Sequence, residues 1–146
     1  MMKIQIIGAF AALVSVVGSP VFAKDSFDGG SPLLCTVAQL HECNAHAGCQ
    51  LVPVTTADDI RYLIFDFKAK TVRLAHWEPG LSSSIDRVET VDDNLVVQGI
   101  DAGDAKAVDG AGWSLSVNKT YGTMVMTVSG RDVAFVGVGS CVRDTR

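Results

Sequence analysis

Residues 32–54 read PLLCTVAQLHECNAHAGCQLVPV and hold three of the four cysteines and two of the three histidines of the chain. The fourth cysteine, Cys141, lies close to the other end of the sequence. How these sulfurs pair decides the fold. If residues 33–43 are extended, Cys35 and Cys43 stand about 26 Å apart at roughly 3.3 Å per residue, beyond the reach of a disulfide. Asn44–Gly48 is turn-like, and a reversal there sets Cys49 opposite Cys43, at the roughly 4.5–5.5 Å Cα separation of opposed antiparallel residues. Cys35 is then left for Cys141. The expected bridges are Cys43–Cys49, a local staple, and Cys35–Cys141, which ties the first strand to the last.

The same stretch offers a competing chemistry. His41, Cys43, His46 and Cys49 have the residue types and the local spacing of a Cys₂His₂ zinc site. Thiols in an oxidising compartment form disulfides instead, and zinc would orphan Cys35 and Cys141 unless those two still paired. The disulfide reading is preferred, and neither metal nor cofactor is expected.

The N-terminus agrees with an oxidising compartment. Lys3 supplies a positive charge, Ile4 to Val17 is an almost unbroken apolar run, and Val21-Phe22-Ala23 has the residues a signal peptidase reads. Residues 1–23 are expected to be a signal peptide cleaved after Ala23, since the apolar run falls short of the roughly 20 residues that span a bilayer. The mature chain, 24–146, is then one domain of 123 residues, periplasmic or secreted. Without Lys3, 11 Lys and Arg stand against 16 Asp and Glu, a net charge of −5. That argues against nucleic acid and anionic membranes as partners, because both need a basic surface.

Beyond the cysteine hairpin the hydrophobic period is two. Leu63, Phe65 and Phe67 alternate with Tyr62, Ile64 and Asp66, and Trp113, Leu115 and Val117 with Ser114, Ser116 and Asn118. Thr71–Trp77, Leu95–Ile100, Met124–Val128 and Val133–Ser140 continue the pattern between turn-rich breaks, while Ser83–Val91 is the weakest strand. Thr55–Ile60 reads as a short connection, with Thr56 a candidate cap over Asp58 and Asp59. Short strands every eight to twelve residues predict an all-β domain, a single antiparallel, lipocalin-like barrel of about eight strands with a β-sandwich as the alternative. In an up-and-down meander the start of the first strand meets the end of the last only for an even strand number. Cys35–Cys141 therefore favours eight over the nine that pattern counting gives, and Ser83–Val91 is the strand to give up.

Several landmarks recur in a fixed order: Pro32-Leu33-Leu34-Cys35, Glu42-Cys43, Cys49, Asp66-Phe67 with Lys70-Thr71-Val72, Gly112-Trp113-Ser114, Gly122 with Met124, and Gly139-Ser140-Cys141. In this order the chain resembles an uncharacterised family of small, exported, four-cysteine proteins of Gram-negative bacteria. The resemblance spans nearly the whole mature chain and implies export and disulfides, with no reaction or ligand. The Ser-Gly-x-x-Tyr pattern of periplasmic lysozyme-inhibitor barrels is missing.

Catalytic signals are sparse. There is no G-x-S-x-G elbow, H-E-x-x-H helix or phosphate-cradling glycine loop. Ser82-Ser83-Ser84, His76 and neighbouring aspartates assemble into a triad only on paper. Asp101, Asp104 and Asp109 crowd one Gly-rich loop, but their spacing is not that of a calcium loop, and a solvated acidic loop is the simpler account. The candidate ligand-binding side chains are Phe65, Phe67, Trp77, Trp113, Met124, Met126 and Phe135, which line a cavity in a wide barrel and are plain core in a filled one. The sequence thus points first to an exported, non-catalytic binding protein that faces another protein, as an inhibitor or an accessory of an envelope complex. A carrier of a small apolar ligand is the alternative, and an enzyme or a zinc protein using the His41–Cys49 cluster comes third.

Overall fold

The computed structural model describes residues 27–56, 60–76, 82–103 and 110–145, so the expected signal segment lies outside the described residues. Within them the chain forms β1 (Leu33–Asn44), β2 (Gly48–Val52), β3 (Tyr62–Asp66), β4 (Thr71–Leu74) and β5 (Ser83–Ser84). It continues as β6 (Arg87–Val91), β7 (Asn94–Asp101), β8 (Ala111–Asn118), β9 (Thr123–Ser129) and β10 (Val133–Arg143), with no helix among the described residues. Nine strands make one antiparallel sheet in the order β5-β4-β3-β1-β10-β9-β8-β7-β6, curled into a half-barrel, and β2 pairs with β1 alone.

The spine is the pairing of β1 with β10, from Leu33 opposite Arg143 to Asn44 opposite Val133, with a bulge between Val37 and Gln39. On its other edge β1 is shared: Leu33–Thr36 pair with β3 and Leu40–Asn44 with β2. A bulge bends a strand and increases its twist, which suits a strand that changes neighbour at that level. Gly139 faces the bulge, and a Cβ there would overlap the Thr36 carbonyl.

Both expected disulfides are present. Cys35–Cys141 and Cys43–Cys49 each join residues that stand directly opposite one another in the sheet. Two disulfides point to an oxidising, non-cytoplasmic environment, and no helix of the described residues is long and apolar enough to cross a membrane.

The interior follows the period-two pattern. Leu33, Cys35 and Val37 of β1, Leu63 and Phe65 of β3, Leu95 and Val97 of β7, and Leu115 and Val117 of β8 are all buried. Each fully buried Leu, Phe or Val contributes about 1.5–3 kcal/mol. Phe27 packs against one end of this core, where a Cβ on Gly122 would meet its ring.

Ser83–Val91, the stretch with the weakest strand signal, does form strand, in two short pieces. Every residue of β6 is exposed, and Ile85 between β5 and β6 is buried. A strand wet on both faces has no alternation to display. β5 and β6 occupy the two ends of the strand order although only Ile85 and Asp86 separate them. Here the Ile85 N–H donates to the Lys70 carbonyl, the Asp86 N–H to the Gln98 carbonyl, and the Ile100 N–H to Asp86 Oδ2, at 2.9, 2.9 and 3.0 Å.

The two bridges close loops of very different length, with sequence separations of 106 and 6. On the chain-entropy model they contribute about 5 and about 2 kcal/mol. Cys141→Ser is expected to lower the thermal midpoint well beyond the effect of Cys43→Ser, and equal shifts in a melting experiment would contradict that division.

Candidate functional site

β7, β8, β9 and β10 place their inward side chains in rows that the register defines. Leu95, Val117, Met124 and Gly139 form one row, and Val97, Leu115, Met126 and Gly137 the next. Above them lie Gly99, Trp113, Val128 and Phe135, and then Asp101 opposite Ala111 at the strand ends. The Leu95 and Val97 rows are packed with buried Leu, Val and Met. The upper rows surround a cavity of about 450 Å³ that is open at this end of the sheet.

The cavity walls are mostly apolar. Trp113, Met126, Val128 and Phe135 line one side, and Leu63, Val72 and Leu74 of β3 and β4 the other. Its rim carries Thr56 and Ile60 from the β2–β3 connection, Val133, Ala111, Ser83 and Asp101. The position of the Trp113 indole explains why space is left. Its six-membered ring fills the volume where a Cβ on Gly99 would stand, against the Ser84 carbonyl. The largest side chain at this level therefore leans onto the β7 wall instead of crossing the interior. Phe65 holds the indole edge-on, with ring centroids 6.0 Å apart and planes at 64°. Trp113 is 7% exposed, and its indole N–H finds no acceptor among the described residues.

Polar chemistry is concentrated on one wall. Asp101 shares the odd-numbered, inward register of Leu95, Val97 and Gly99, and Ser83 stands opposite the buried Val72. The Ser83 hydroxyl donates to Asp101 Oδ2 at 2.5 Å and the Gly103 N–H to Asp101 Oδ1 at 2.9 Å. Arg73 also borders the cavity, but it lies between the buried Val72 and Leu74 on β4, so alternation turns its side chain to the outer face. There it lines a second recess with Asp66 and Asp144.

Of the candidate ligand-binding residues, Trp113, Met126 and Phe135 line the cavity. Phe65 and Met124 are core, and Phe67 packs against the core. Trp77 lies outside the described residues, as do Asp58, Asp59, Asp104 and Asp109. Sequence reasoning raised Ser83 and Asp101 only in a paper triad and a solvated acidic loop, and did not place them or the β3–β4 wall at a cavity. For Asp101 a signal exists, because the period running through Leu95, Val97 and Gly99 carries one step further into what reads as a polar loop.

Cys43 and Cys49 are consumed by their disulfide, so the zinc constellation has no thiolates, and His46 is exposed on the hairpin turn. No group of three or more potential metal ligands occurs among the described residues. The paper triad does not assemble: Ser83 and Ser84 donate to Asp101 and Asp86, and His76 is exposed with no hydrogen bond to either serine.

Fold and site together define an all-β, disulfide-bonded cup with an apolar interior. Compared with protein-family models, with curated proteins and with solved structures, the chain matches none of them.

Gly99 is the residue on which the cavity shape depends. Gly99→Ala is expected to cost about 2–4 kcal/mol, because neither the Ser84 carbonyl nor the packed indole gives way easily. Denaturant unfolding measures this, and a loss below about 1 kcal/mol would show that the ring relaxes freely.

Proposed function

We propose that this protein is an exported, non-catalytic binding protein that holds a small, largely apolar ligand inside its cup. The observation that carries the reading is the open cavity of about 450 Å³. That volume lies within the roughly 300–1,000 Å³ of ordinary ligand sites, and an apolar wall with few polar groups is the usual lining. On this reading Ser83–Val91 is a single bent strand that closes an eight-stranded barrel, and β2 is an appended arm. The contacts of Ile85 and Asp86 across the two sheet ends support the closure. Residues 1–23 direct the chain to the periplasm or the exterior, where both disulfides form.

A second reading, a protein-facing role, draws on the hairpin arm. Leu51 on β2 is 65% exposed beside the Cys43–Cys49 staple. A photo-crosslinking residue at position 51 would give one discrete adduct in intact cells on that reading. Absence of any adduct would leave the arm as a structural appendage.

The cavity reading is tested with N-phenylnaphthylamine, a neutral apolar fluorophore. Wild-type protein is expected to bind one equivalent with a micromolar dissociation constant and a rise in emission. Ala111→Trp, which places a large ring at the cavity rim, is expected to weaken that binding about tenfold or more while the fold persists by circular dichroism. No saturable binding by the wild type would overturn the reading.

A further inference from the structure

We infer that the cavity selects amphiphiles whose head group is a cation, specifically an apolar body ending in an amine. This rests on the cavity reading and adds the chemistry of one end of the ligand.

The inference comes from the placement of Asp101. Strand register turns its side chain inward, into the row above Trp113, so a carboxylate borders a cavity whose lining is mostly apolar. A carboxylate on an apolar wall costs solvation free energy unless donors compensate it. Two are built in, the Ser83 hydroxyl on one oxygen and the Gly103 N–H on the other. An ionised carboxylate has about four acceptor positions over its two oxygens, so each oxygen keeps room for a further donor. Ser83 also fixes the orientation of the group, because a charge-assisted O–H to carboxylate bond is strong and directional.

No cationic side chain of the described residues bonds to this carboxylate. Among the described residues Asp101 is the one charged side chain that faces inward at the cavity, with Arg73 turned to the outer face by strand alternation. Among the described residues, neither of the two oxygens is held by a Lys or Arg. A ligand ammonium would supply the missing positive charge, while its apolar body lies against Trp113, Met126 and Phe135. An anionic head meets the opposite situation, and the net charge of the chain, −4, adds to its repulsion. A neutral alcohol falls between, since its hydroxyl donates one uncharged hydrogen bond.

The test is displacement of bound N-phenylnaphthylamine by three molecules with the same chain: n-octylamine, n-octanol and octanoate. The amine is expected to displace the probe at about tenfold lower concentration than the alcohol, and octanoate to be weakest, in line with charge-assisted against neutral hydrogen bonds. In Asp101→Asn the amine's advantage over the alcohol is expected to vanish while displacement by the alcohol stays within about twofold of wild type. The wild-type series decides the matter even if that variant folds poorly. Equal displacement by all three heads, or octanoate as the best competitor, would overturn the inference and leave the apolar cavity standing. Failure of the probe to bind at all would remove the cavity reading and this inference with it.

Discussion

The structure depends on one seam. β1 and β10 come from opposite ends of the described chain and pair along their whole lengths. Bringing such distant segments together carries the largest loop-closure cost in the molecule, although that cost grows only logarithmically with length. Cys35–Cys141 places a covalent bond at the buried end of that seam, where both sulfurs sit in the core. Once the seam exists, β1 offers its second edge to β3 and β2, and β10 offers its own to β9. Every other strand is added to one side or the other of this pair.

The two disulfides mark opposite ends of the fold. Cys35–Cys141 lies at the end filled by Leu33, Met124 and Phe27. Cys43–Cys49 lies at the end where the cavity opens, on an arm that carries little buried surface of its own. A five-residue edge strand with exposed side chains has no hydrophobic face to hold it, and a covalent staple substitutes for one. The filled end supplies stability, and the open end leaves the cavity accessible.

The cavity results from how unequal side chains share a curved sheet. In the lower rows, branched and sulfur-containing side chains from β7, β8 and β9 meet those of β1 and β3 and fill the interior. One level higher, a glycine on β7 lets the indole of β8 tilt onto the wall. The widest side chain among the described residues thus lines space instead of filling it. The inward carboxylate at the rim is tolerated because two donors are built around it, a requirement that a packed apolar core would not impose.

Much of this was legible in the sequence. Extended geometry excludes a Cys35–Cys43 bridge and favours the observed pairs, and alternation in Trp113–Asn118 and Tyr62–Asp66 assigns their inward faces. These features are local, set by chain geometry over a few residues and by a period that any half-buried strand must show. Ser83–Val91 was poorly legible because β6 is exposed on both faces, so burial imprinted no period on it. The cavity was not legible at all. Whether Trp113, Met126 and Phe135 fill a core or line a void depends on the tilt of one ring against a glycine distant in sequence. The meeting of Asp101 with Ser83, 18 residues away, likewise exists only once the sheet curls into a half-barrel. Sequence determined the disulfide pairing, the all-β class and the inward faces of the alternating strands, because each follows from short-range geometry. It did not determine the strand count, since it gave up Ser83–Val91, which forms β5 and β6. Tertiary structure alone decided the cavity and its polar wall, because both are made of contacts between residues that only the curl of the sheet brings together.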